Sequence, residues 1–224
     1  MPANQPAVRF CFPILLMLMV VLSGCLFGGA DTPLGRASAA GDVDTMKVLL
    51  DHGADPNAPG AYGMTPLAAA ARKGAVGAIA LLLTRGADPH RGCGVNGWTP
   101  LLHALHKDQP AAAERLLSTC TPPSAELDDA LFMAAGYAQT DLVAALLEKG
   151  ADPRKDFGDG ASALSNAVAG AFDIDFSYRG CEAHTETVRA LLTVPDVKLR
   201  GSVGAAARRS AEKRGCADML ALLP

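Results

Sequence analysis

Side chains able to do chemistry crowd into two stretches of the chain. The first holds His90, Cys93, His103 and His106. These carry metal-ligating atoms, but their spacing fits no short zinc motif, and His103 falls on the apolar face of its helix, where a satisfied core histidine is expected. The second pairs Cys181 with His184, the residue types of a thiol nucleophile and its base. Asp156-Phe157-Gly158 matches a kinase triplet in letters only, because no Gly-rich loop or His-Arg-Asp motif accompanies it. Asp173 and Asp175 supply two carboxylates, too few for a dedicated calcium loop. No enzymatic constellation, metal site or cofactor site is expected from these residues, and a metal-binding protein or enzyme built on the His and Cys cluster of the first stretch ranks last among the readings.

The elements that position them must come from a chain of 224 residues that is 50% hydrophobic, 5% aromatic and 19% charged. That much aliphatic material excludes disorder, and so few rings suit helices packed through Ala, Leu and Val. A formal net charge of -3 argues against a nucleic-acid-binding surface.

Part of the hydrophobicity belongs to a leader. Arg9 is the one charged residue of the first thirty, and Phe10 to Leu22 is apolar, broken only by Pro13. A basic residue, a short apolar run and then small residues describe a secretory signal over residues 1–24. The sequence Leu22-Ser23-Gly24-Cys25 resembles the lipobox of bacterial lipoproteins. The resemblance implies cleavage before Cys25 and acylation of its thiol, with 25–30 as a short tether and the folded domain over 31–224. Loss of Arg9 takes the net charge to -4. Leu26, standing where an inner-membrane lipoprotein of that family carries Asp, implies the outer membrane. The expected location is the periplasmic face of the envelope, held by lipid.

Behind the leader the chain repeats itself. Thr-Pro-Leu occurs at Thr32, Thr65 and Thr99, in steps of 33 and 34 residues, and Gly-Ala-Asp-Pro begins at Gly53, Gly86 and Gly150. Thr before Pro starts a helix with a capped end and no wasted N–H. The glycines stand where a second helix should stop in a left-handed residue. Between these signals lie the pairs Met46 and Leu49, Ile79 and Leu82, Val143 and Leu146, and Val188 and Leu191, each on one helical face. One helix pair cannot bury such a face alone, whereas a stack of pairs can.

These motifs closely resemble ankyrin repeats. The resemblance implies an all-α solenoid of about six helix-turn-helix units with β-hairpin fingers. The units are placed near Thr32, Thr65, Thr99, Asp129, Ser162 and Ala206. The fourth has lost Thr-Pro-Leu, and its approach Thr121-Pro122-Pro123-Ser124 is too short for a finger. The fifth carries an insertion over about 169–181. The sixth is polar, as a terminal cap should be. The resemblance also makes His184 a tie between neighbouring loops.

Apart from Cys11 in the leader and Cys25 at the lipobox, four cysteines remain. An even number in an exported chain suggests disulfides, and the repeat phase favours Cys93–Cys120 and Cys181–Cys216, against four reduced thiols. Ankyrin proteins meet partners at finger tips and first-helix ends. Carried onto this chain, these are Tyr62, Met64, Arg72 and Lys73, then Asn96, Trp98, His106 and Lys107, with Tyr137 continuing the row. Arg72, Lys73 and Lys107 would suit a partner with an acidic patch. Phe172, Phe176 and Tyr178 in the insertion extend the candidate contacts. The implied function is protein binding without catalysis. One version is immunity against a secreted lipase toxin, to which some lipoproteins of this kind are similar. The broader version is an envelope adaptor or stress-protection protein.

Overall fold

The computed structural model describes residues 32–94, 96–170 and 180–223. The leader, Cys25 and the insertion residues Phe172, Phe176 and Tyr178 lie outside the described residues.

Twelve α-helices occur among the described residues, arranged as six antiparallel pairs. They are α1 (Pro33–Ala40) with α2 (Val43–Asp51), α3 (Pro66–Lys73) with α4 (Val76–Thr84), and α5 (Pro100–His106) with α6 (Pro110–Thr119). Then come α7 (Ser124–Gly136) with α8 (Thr140–Glu148), α9 (Ala163–Ala169) with α10 (Cys181–Leu192), and α11 (Gly201–Arg214) with α12 (Ala217–Leu222). The odd-numbered helices stack in one row and the even-numbered helices in a second.

The repeated letters act as their chemistry requires. The hydroxyls of Thr32, Thr65 and Thr99 accept from the backbone N–H groups of Gly35, Ala68 and Leu102, and Pro opens each of these helices. Gly53, Gly86 and Gly150 follow α2, α4 and α8 with φ of 86°, 84° and 95°. This left-handed conformation is easy for glycine and turns the chain toward the next unit.

One core runs through the stack. Met46, Ile79, Leu82, Val143, Leu146, Val188 and Leu191 are completely buried, while Leu49 at the outermost pair is half-buried. Ala68, Ala70, Ala71, Ala112 and Ala113 are also completely enclosed. Their small side chains let neighbouring helices approach closely. Polar ties bridge the turns: Gln139 Nε2 donates to the Leu105 carbonyl at 3.1 Å and to Asp108 Oδ1 at 2.9 Å.

Three expectations are corrected. The fingers do not form hairpin ladders; among the described residues the sole pairing is the antiparallel bridge between Cys93 and Trp98. The fourth unit opens its first helix at Ser124 and not near Asp129. With no Thr-Pro-Leu to announce it, the helix begins directly after Pro123, whose extended backbone leads straight in. Likewise the sixth unit begins at Gly201 and not near Ala206, because α11 is longer than the repeat period suggests.

Candidate functional site

The fingers and the exposed ends of α1, α3 and α5 enclose a groove of about 550 Å³. Seven of the residues singled out in the sequence line it: Tyr62, Met64, Arg72, Lys73, Asn96, Trp98 and His106. The period explains the convergence. Residues one repeat apart occupy equivalent places on adjacent units, so a row spread over the sequence becomes one surface.

Tyr62 stands 83% exposed at the finger tip, in a left-handed backbone with φ 55°. Trp98 is half-buried, and its ring centroid lies 4.8 Å from that of His106. His106 Nδ1 lies 2.8 Å from the Tyr137 hydroxyl, which joins Tyr137 to the row although it does not line the groove. Lys107, the residue after α5, does not line it either. Arg72 and Lys73 bring two positive charges to the groove, and no carboxylate is among its lining residues.

His103 was expected to be a satisfied core residue, and the structure corrects this. It is 4% exposed, and neither ring nitrogen has a hydrogen-bond partner. Burial holds its imidazole below the ordinary histidine pKa. A backbone interaction with Cys93, outside hydrogen-bond geometry, opposes this only in part, and the charges of Arg72 and His106 add to it. His103 also lines the groove, together with Thr32 and several small residues of α1 and the fingers. Its apolar helical position concealed this, because periodicity reports burial and not whether a partner is present.

The remaining members of the crowded stretch separate. His90 Nδ1 turns away to Glu126 Oε2 at 2.8 Å, and Glu126 also accepts from the Thr99 hydroxyl at 2.7 Å. Among the described residues no three His, Cys, Asp or Glu side chains converge on one point as metal ligands.

The expected Cys93–Cys120 bridge is absent; both are free thiols. The finger turns Cys93 inward, where its thiol donates to Met64 Sδ at 3.9 Å and the Trp98 carbonyl at 3.5 Å. Cys120 caps the far end of α6, where burial pushes its thiol pKa up and the Glu126 charge adds to the rise. Cys181 and Cys216 do form a disulfide. This bond removes Cys181 as a nucleophile, and His184 Nδ1 instead meets the Ala167 carbonyl at 2.9 Å, a tie between α9 and α10 of one pair and not between neighbouring loops.

The model of the family described as ankyrin repeats (3 copies) matches residues 11–93. A solved ankyrin repeat domain from Acinetobacter baumannii AYE superposes with a TM-score of 0.67 at 22% identity, covering 85% of this chain and 95% of that one. The fold is that of an ankyrin-repeat domain. A short segment of 38 residues, 17% of this chain, is 50% identical to Cyclin-dependent kinase 4 inhibitor B of Rattus norvegicus. The chain spans only 29% of the length of that relative.

Proposed function

We propose that this chain is a non-enzymatic protein-binding module, held by lipid on Cys25 at the periplasmic face of a bacterial envelope. One observation carries the reading: seven residues picked from the repeat register line a single groove that has two cationic side chains and no acidic ones. A core-only explanation accounts for buried leucines but not for Trp98, Tyr62 and Arg72 sharing one groove. Trp, Tyr and Arg are the side chains that most often anchor interfaces. The fitting occupant is a protein surface with acidic side chains, drawn by the positive charge of Arg72 and Lys73.

The specific version is an immunity protein that neutralises a secreted toxin at the membrane. A tether of only 25–30 favours it, because such a tether keeps the groove near the phospholipid that a lipase-type toxin would attack. Pull-down of envelope proteins with the full chain tests the binding reading. Recovered partners are expected to disappear in the Trp98→Ala, Arg72→Ala double variant, and an unchanged partner profile would refute the groove as the interface. A toxin reading frame beside this gene, with protection on co-expression, tests the immunity version.

A further inference from the structure

Beneath the groove's protein-facing rim lies a second kind of chemistry. Met64 brings a thioether, Cys93 a free thiol, and His103 an imidazole with no partner at either nitrogen. The two sulfurs are 3.9 Å apart. A methyl placed on Gly94 would touch His103 Nε2 at 3.5 Å and Met64 Cε at 3.7 Å, so the imidazole edge and the Met64 methyl border one small space. Cys93, the neighbour of Gly94, has its backbone beside the same ring. Buried nitrogens left without hydrogen bonds are uncommon, and a ligand is one reason to keep them.

We propose that Met64 Sδ, Cys93 Sγ and His103 Nε2 form a three-ligand site for a soft monovalent cation, Cu(I) in biology and Ag(I) as its laboratory equivalent.

Donor type and distance both favour this class. Thioether and thiolate are soft ligands that select Cu(I) over hard cations. Two sulfurs bound at about 2.3 Å to one metal, with about 120° between the bonds, stand about 4 Å apart. The observed separation therefore needs little rearrangement. Charge favours a monovalent ion. On binding, the Cys93 thiol releases its proton, so one negative thiolate meets one positive ion and the buried site stays neutral. A divalent ion would leave a net positive charge in a groove that Arg72 also lines. The site lies beyond the protein-binding reading and stands or falls separately from it.

The chain has a single Trp, and Trp98 sits with its ring centroid 5.8 Å from that of His103, so its emission reports on the site. The full chain, with Cys11, Cys25 and Cys120 changed to Ser, is titrated anaerobically with Ag(I), and with Cu(I) against a chromophoric Cu(I) chelator. The expected result is saturable quenching of Trp98 at one ion per chain, absent with Zn(II). Met64→Leu and His103→Leu should each weaken binding at least tenfold, and Cys93→Ala should abolish it, with melting curves confirming that each variant folds. Unaltered affinity in either Met64→Leu or His103→Leu would overturn the three-ligand site. Quenching by Zn(II) as strong as that by Cu(I), or quenching that persists in Cys93→Ala, would do the same.

Discussion

His106 Nδ1 and the Tyr137 hydroxyl meet at 2.8 Å across the boundary between the third and fourth helix pairs. Their ring centroids stand 6.0 Å apart, edge to face, and Trp98 adjoins on the other side of His106. Three aromatic residues from α5, its finger and the end of α7 thereby form one run along the face. Tyr137→Phe keeps the ring and removes the hydroxyl. Its expected effect is a stability loss of about 0.5–1.5 kcal/mol, the ordinary net value of one hydrogen bond. Urea unfolding followed by circular dichroism measures it. No loss at all would mean that the hydroxyl is as well served by water.

Gly160 fixes how the last pair docks. Its φ is 81°, and a Cβ there would lie 2.0 Å from the Arg200 carbonyl oxygen. That obstacle is backbone at the start of α11 and cannot rotate aside. Gly160→Ala is expected to cost about 3 kcal/mol from strain and steric overlap together. Because repeats depend on their neighbours, the loss should concentrate in α9 to α12. Hydrogen exchange resolved along the chain checks it; uniform weakening, or none, would contradict the docking role.

How far the sequence reached depends on what kind of signal each feature left. Thr32, Thr65 and Thr99 announce helix starts through local capping chemistry, and those starts are where the letters place them. Ser124 and Gly201 open helices without such letters, so the pattern put both units several residues late. The groove was legible because repeats convert sequence register into spatial register, which carried Tyr62, Arg72, Trp98 and His106 to one surface. Cysteine pairing is different. Cys181 and Cys216 are neighbours through the stacking of α10 on α12, which the period does encode. Cys93 was misread because its direction is set by a single bridge to Trp98 within the finger, and nothing in residue spacing reveals that inward turn.

The Cys181–Cys216 bond should hold the terminal pair. It closes a sequence separation of 35 residues between the first turns of α10 and α12. Restricting a loop of that length in the unfolded chain is worth about 3–4 kcal/mol in the chain-entropy account. Reductant should therefore lower the unfolding midpoint of the C-terminal pairs while leaving α1 to α6 largely unaffected. Exchange protection in α11 and α12 that is equal with and without reductant would set that value near zero.

Cys120 offers a pH test. Burial and the Glu126 charge both raise its thiol pKa, so less of the reactive thiolate is present at a given pH. Alkylation of Cys120 in the folded chain should be slower at pH 8 than in urea, and its rate should rise at higher pH than that of the unfolded cysteine. Peptide-resolved mass spectrometry separates Cys120 from Cys93, which is 5% exposed. Coincident pH curves for folded and unfolded chains would show that neither burial nor Glu126 acts on it.

His103 gives the prediction with the least ordinary sign. Removing a buried polar side chain usually weakens a protein because its partners are left without bonds, but here neither ring nitrogen has a partner to lose. The metal-free chain bears the desolvation of those nitrogens with no hydrogen bond in return, a burden of about 1–3 kcal/mol for a buried unsatisfied group. Leu has nearly the volume of His and would face Trp98 and the finger without polar atoms. His103→Leu should therefore leave metal-free stability unchanged or raise it by about 1 kcal/mol. His103→Ala should instead lose about 2 kcal/mol or more, because it opens a cavity beneath the groove. Thermal melts in chelator compare the three proteins. If Leu destabilises as much as Ala, the ring has a partner in solution, and its nitrogens are not waiting for a ligand.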